Sequence, residues 1–162
     1  MKINRMIFTQ ETLRYTTRNR RVRAILLTDD TELLFIKRVK PNKPPYRVAP
    51  GGGMEEEDAS LLATLHRELD EELGAEVEVL EDAFILLHEK AGKQLEEHFY
   101  VCRLLSMDLT RRHGPEFDDP EKGLYIPDFV PLNVAALDAV EIKTPELRDW
   151  LLDHLEDLRL TV

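Results

Sequence analysis

An α+β fold, built as an α/β/α sandwich on a mixed β-sheet, is what this chain leads one to expect, and three features carry that expectation. Short apolar runs come first, a strongly periodic helix lies among the later ones, and a second helix closes the sequence. Connections of very different length join them. With 162 residues, 43% of them hydrophobic, the chain supports one core, so 1–162 reads as a single domain.

Residues 1–20 read as an N-terminal extension or an edge strand. "VRAILLT" (22–28) and "ELLFIKR" (32–38) flank Asp29-Asp30 and form a hairpin. Four prolines and three glycines in "VKPNKPPYRVAPGGG" (39–53) exclude a helix, leaving a loop around a brief extended stretch at 46–49. From Ser60 the period becomes helical: Leu61, Leu62, Leu65, Leu69 and Leu73 repeat with it, Ser60 is placed to cap the start, and Gly74 to stop the end. Strand-like runs follow at 75–80, 82–88, 97–105 and 126–132, with a Pro- and Asp-rich loop at 106–124. "TPELRDWLLDHLEDL" (144–158) opens on Thr144-Pro145 and carries a single apolar stripe, a C-terminal packing helix.

Charge and composition narrow the function. A formal net charge of -10 disfavours a grip on duplex nucleic acid, yet permits an anionic substrate delivered with a divalent cation. The lone Cys102 excludes an internal disulfide framework and a cysteine-rich zinc site. No apolar run reaches the roughly 18 residues of a membrane span, and the N-terminus lacks a secretory pattern, so no membrane partner and a cytoplasmic location are expected. A homodimer is left open.

"RELDEELG" (67–74) crowds Glu68, Asp70, Glu71 and Glu72 together. Like charges at i,i+4 cost about 0.2–0.5 kcal/mol per pair. At about 100° per residue, Glu68, Glu71 and Glu72 share an arc beside the leucine stripe, whereas Asp70 points elsewhere. An isolated acidic helix reads first as a solvated face. Gly51-Gly52-Gly53 just upstream shifts the balance, because such a turn lets backbone approach a ligand before a helix. Three carboxylates in that arc can share a hard cation, for which oxygen donors completed by substrate phosphates are suited.

Taken together, "GGMEEEDASLLATLHRELDEELGA" resembles the signature box of the Nudix hydrolases: a Gly, five residues, a Glu, seven residues, then Arg-Glu-aliphatic-any-Glu-Glu-any-Gly-aliphatic. Gly53, Arg67, Glu68, Leu69, Glu71, Glu72 and Gly74 fall on that pattern. Two positions depart: Ala59 stands where the pattern has its first Glu, and Ala75 where it has the closing aliphatic. Asp58 or Glu57 substitutes for the missing acid, or both are plain surface acids.

The resemblance implies a Nudix-like sandwich and Mg²⁺-dependent (or Mn²⁺-dependent) hydrolysis of a nucleoside diphosphate linked to another group, a metal-activated water attacking phosphorus. It implies Glu68, Glu71, Glu72 and the Gly52 carbonyl as metal ligands, Arg67 holding Glu68, and Gly53 permitting the turn beside substrate. A general base would come from "RRHGPEFDDPEKG", with Glu116 first and Glu96, Glu97 and Asp119 behind it. Arg111, Arg112 and His113 either contact phosphate or face water. Among Arg18, Arg20, Arg21 and Arg23, Arg23 is the candidate substrate contact, the bland alternative being surface ion pairs. Tyr46, Phe84, Phe99 and Tyr125 are core residues or base-stacking ones. Positions 90–93, Lys-Ala-Gly-Lys, lack the Pro or Tyr that accompanies ADP-ribose or dinucleoside polyphosphate activity. Nucleoside triphosphates or a nucleotide sugar remain. The alternative is a Nudix-fold module that binds nucleotide without cleaving it.

Overall fold

Apolar residues alternate sides along the central strands, and that alternation builds two layers of core. The computed structural model describes residues 19–162; the expected extension at 1–20 lies, save for Asn19 and Arg20, outside the described residues. Strands β1 (Arg20–Leu27) and β2 (Glu32–Val39) form the expected hairpin, closed by Thr28 N donating to Glu32 O at 3.0 Å. β1 runs parallel to β6 (Lys93–Met107), which pairs antiparallel with β5 (Ala75–Lys90), and β7 (Leu124–Pro131) lines the outer edge of β2. Val22, Ala24, Leu26, Leu34, Ile36, Tyr100 and Cys102 face helix α1 (Leu61–Leu73) through Leu65, Leu69 and Leu73. Ile25, Leu27, Leu33, Phe35, Phe99 and Val101 face the opposite way. They meet Leu137, Leu147, Leu151, Leu155 and Leu158 of α2 (Val134–Asp138), α3 (Pro145–Asp153) and α4 (Leu155–Thr161).

One irregularity of the sheet creates the space for a site. β6 occupies one whole edge of β1 and β7 one whole edge of β2, so the facing edges of β1 and β2 meet only at Leu27 and Leu33. Beyond that contact, β4 (Gly51–Gly53) pairs with Arg21–Arg23 of β1 and β3 (Tyr46–Val48) with Ile36–Arg38 of β2. The two central strands are thus splayed, and the Pro- and Gly-rich segment fills the opening.

Several expectations are corrected. The triple glycine, read as loop, is a short strand, because pairing with β1 supplies what glycine's weak strand preference does not. The runs 75–80 and 82–88 are one strand, β5, whose register shifts near Val77, Glu81 and Phe84 break the alternation. Leu62 is 43% exposed and lies outside the helix stripe. The helix expected over 144–158 ends at Asp153: His154 takes φ -118°, ψ 12° and stacks on Trp150 at 4.0 Å before α4 begins. α2, capped by Asn133 accepting from Ala136 N, went unforeseen. The caps of α1 agree with expectation: Ser60 Oγ accepts from Ala63 N, and Gly74 is left-handed at φ 57°.

Because Leu69 is wholly buried between α1 and the sheet, Leu69→Ala should destabilise the fold by about 2–5 kcal/mol. Urea unfolding checks this, and a midpoint unchanged from wild type would place the core elsewhere.

Candidate active site

The last turns of α1 lie over β4, and this packing brings helix carboxylates to the splayed mouth of the sheet. Ala24 N donates to Pro50 O at 2.8 Å and Met54 N to Arg20 O at 2.9 Å, fastening both ends of the glycine strand to β1. Gly51 N then donates to Glu72 Oε1 at 2.8 Å. Gly52 presses on Glu68: a Cβ there would lie 2.3 Å from Glu68 Cδ. At Gly51, with φ +149°, a Cβ would strike Val22 O at 2.0 Å. Gly51 and Gly52 are glycine because backbone, helix carboxylate and β1 meet there without room for side chains.

The loop after β6 closes over the same place. Its three 3₁₀ turns (Leu109–Arg111, Pro115–Phe117 and Pro120–Lys122) are riveted to their surroundings. His113 N donates to Glu71 O at 3.0 Å, Arg111 pairs with Asp70 at 2.5 Å, and Arg112 Nη2 donates to Tyr125 O at 2.6 Å. Arg112 also lies over the Phe117 ring at 4.5 Å. These contacts leave Glu116, on the middle turn, facing Glu68 and Glu72 across one cleft.

That cleft has a volume of about 390 Å³, within the range of small-molecule sites. Glu68, Glu72 and Glu116 line it together with Arg21, Arg23, Arg38, Lys122 and Lys143, and with Tyr46 and Tyr125. Five cations around one cleft stand out in a chain of net charge -10. Tyr125 is held by Arg38, whose guanidinium carbon sits 3.7 Å from the ring centroid. Arg23 donates from Nε to Glu97 Oε2 at 2.8 Å and from Nη1 to Ala49 O at 3.0 Å, which fixes it at the cleft wall.

Burial raises the Glu72 carboxyl to about 8; Glu68 and Glu116 push the same way, while Arg23 and the Gly51 amide oppose. Glu68 is also raised, first by burial and then by Glu71 and Glu116 against the pull of Arg67. Both shifts come first from burial, with the neighbouring carboxylates adding to it. Among the described residues, no three His, Cys, Asp or Glu side chains close into a metal cage. Glu72 is held by Gly51; Glu71 Oε1 is held by Arg67 Nη1 at 3.2 Å, and Glu71 is not among the residues lining the cleft. The donor set itself, oxygen throughout and partly uncompensated, fits a hard divalent cation better than any softer metal.

The other candidates sort plainly. Glu96 is buried against His98 and Arg20, Glu97 against Arg23 and His88, and Asp119 caps a 3₁₀ turn through Glu121 N, so none joins Glu68 and Glu72. Phe84 and Phe99 stack on each other at 4.3 Å beneath Trp150, a core pair. Cys102 is a buried apolar-strand residue whose thiol burial pushes up to about 12. Gly53 faces open space and contributes its carbonyl to Arg67 Nη2 at 3.0 Å. The residue that sequence reasoning left undecided is Asp58. Its carboxylate takes Arg67 Nε and Nη2, each at 2.9 Å, and that guanidinium holds it far below the usual carboxylate range.

Comparison with known proteins places these features in a family. The model described as the NUDIX domain matches residues 17–151. A NUDIX hydrolase from Nitrosomonas europaea superposes with a TM-score of 0.65 at 19% identity, covering 87% of this chain and 90% of that one. A MutT protein from Methanosarcina mazei Go1 gives 0.61 at 18% identity, covering 85% and 92%. An ADP-ribose pyrophosphatase from Streptococcus suis gives 0.56 at 19% identity, covering 84% and 90%. At such identities the likeness is one of fold. Comparison with curated proteins gives no match. Among the described residues no helix is long and apolar enough to cross a membrane.

Proposed function

Since the chain belongs to the Nudix hydrolase family, we propose that it is a pyrophosphohydrolase cleaving a nucleoside diphosphate linked to a further group, with the cleft between α1, β4 and the Glu116 loop as its site. The observation that carries this reading is that one cleft is lined by three carboxylates, Glu68, Glu72 and Glu116, together with five cationic side chains. A pyrophosphate bridge needs both: fixed cations for its outer oxygens, and a carboxylate-held metal where negative charge gathers during displacement.

Glu68 and Glu72, with Glu71 and the Gly52 carbonyl that the family resemblance names, are the groups that would hold Mg²⁺ or Mn²⁺. Bound there, the cation supplies charge neutralisation on the bridge and a lowered pKa for water. Arg67 orients Glu68 and Glu71 through Nη1, 3.2 Å from each. Arg23, with Arg21 and Arg38, receives the substrate's phosphate oxygens, and Gly53 leaves space for them to pass. Tyr46 and Tyr125 flank the group attached to the phosphates. Glu116 takes the proton released when water attacks. Nucleoside triphosphates and nucleotide sugars are the substrates to try first, and the cytoplasm is the location this reading carries.

The test is product release from a panel of nucleoside triphosphates, nucleotide sugars, ADP-ribose and dinucleoside polyphosphates with Mg²⁺ or Mn²⁺, in wild type, Glu71→Gln and Glu72→Gln. The expected outcome is turnover of one class that chelation stops and both substitutions depress. Equal rates in all three proteins would remove the metal reading. Tight nucleotide binding without turnover would favour a non-catalytic module, the reading that Ala59 keeps in view.

A further inference from the structure

The structure assigns to Asp58 the positioning of Arg67, and through Arg67 of the carboxylates of α1. The assignment rests on reading the cleft as a metal-dependent hydrolase site, and it puts a part-buried acid one residue before Ala59.

Local backbone decides which residue points inward. Asp58 N donates to Glu55 O at 3.1 Å and Asp58 Oδ2 accepts from Glu55 N at 2.9 Å, closing a tight turn over 55–58. That turn drives the Asp58 side chain beneath the start of α1, where it is 7% exposed and takes Thr64 Oγ1 at 3.0 Å. Ala59 and Ser60 are left exposed. A glutamate at 59 would start from the solvent side of this turn.

A guanidinium has five N–H donors in one plane. In Arg67 all five are directed: Nε and one from Nη2 to Asp58, the second from Nη2 to Gly53 O, and the pair on Nη1 to Glu68 and Glu71. Among the described residues, Asp58 is the one acceptor that engages two nitrogens of Arg67, so it sets the plane that the other three bonds require. It also carries a full charge against Arg67. Without that charge, Arg67 turns to Glu68 and Glu71 for compensation and competes with a cation for the same oxygens. Asp58 is thus a positioning residue, acting at a distance from any reacting atom.

Direct Mn²⁺ binding, followed by electron paramagnetic resonance without nucleotide, reads this role apart from catalysis. Asp58→Ala should weaken Mn²⁺ binding by about 10- to 100-fold, the usual effect of removing a partner behind a metal ligand. Asp58→Asn, which keeps the shape and one acceptor, should fall between Asp58→Ala and wild type. Ser60→Ala removes only the helix cap and serves as the stability control: it should lower the melting temperature and leave Mn²⁺ affinity unchanged. Asp58→Ala on an Arg67→Ala background should add little, because the two act in series. Wild-type affinity in a folded Asp58→Ala protein would overturn the assignment. Should that variant not fold, unchanged affinity in Asp58→Asn would do so. If wild type itself bound no Mn²⁺ and cleaved no nucleotide, the reading of the cleft would fall first.

Discussion

Glu72→Gln should lose most of its activity and yet yield a more stable protein at alkaline pH in the absence of divalent metal. Glutamine keeps the acceptor that Gly51 N–H requires, so the backbone of β4 has no reason to move. What disappears is a negative charge that is 7% exposed and sits beside Glu68 and Glu116. On the proposed reading, a cation held there would supply several kcal/mol of charge stabilisation at the phosphoryl group, so kcat should fall about 10³-fold. The stability consequence has the opposite sign. The folded carboxyl titrates at about 8 against an ordinary value of 4.5, so the folded chain holds this proton more tightly than the unfolded one. Its favourable contribution is complete below about pH 4.5 and is lost as pH rises through 8. Urea midpoints in chelator at pH 5 and pH 8 should therefore drop more for wild type than for Glu72→Gln. Parallel drops would show that Glu72 ionises freely in the fold.

Gly52→Ala should cost about 10²-fold in kcat/KM with little change in stability. The added Cβ would fall 2.3 Å from Glu68 Cδ, and the carboxylate, at the end of a flexible side chain, is what gives way. It cannot give way freely, because Arg67 Nη1 holds it at 3.2 Å. Displacement of one ligand by about 1 Å is enough for that loss. Gly53→Ala is the matched control: no atom lies within 4 Å of its Cβ position. A folded Gly53→Ala protein with raised KM would report substrate passing there. The contrast reverses what the box pattern suggests, since Gly53 occupies its fixed glycine position and Gly52 does not. Equal activities of the two variants would remove the steric account.

Elements with local causes were readable in the chain. The ends of α1 follow from Ser60 and Gly74, whose own side chain or backbone freedom makes the caps, and the first hairpin follows from two apolar runs about Asp29-Asp30. The spacing of Arg67, Glu68, Glu71 and Glu72 survives into three dimensions because a helix enforces it. Features decided by partners were not readable. Gly51–Gly53 is a strand only because β1 offers an edge, and β5 continues through its bulges only because β6 runs beside it. Nothing in the helical period announces that His154 will stack on Trp150 and break the final helix. The same limit hid Asp58 among four consecutive acids: a turn over 55–58 selects which of them points at Arg67, and that turn is a matter of backbone geometry. Glu116 is named through the family resemblance alone, and the fold brings it to line one cleft with Glu68 and Glu72.

Crystals grown with Mn²⁺ and a nucleotide carrying a non-hydrolysable diphosphate bridge, measured at the manganese edge, test the central claim most directly. An anomalous peak between Glu68, Glu72 and the bridging phosphates, with the outer phosphate oxygens turned to Arg21, Arg23 or Arg38, is the expected result. Nucleotide bound in the cleft with no manganese at those carboxylates, or manganese bound elsewhere on the chain, would contradict it.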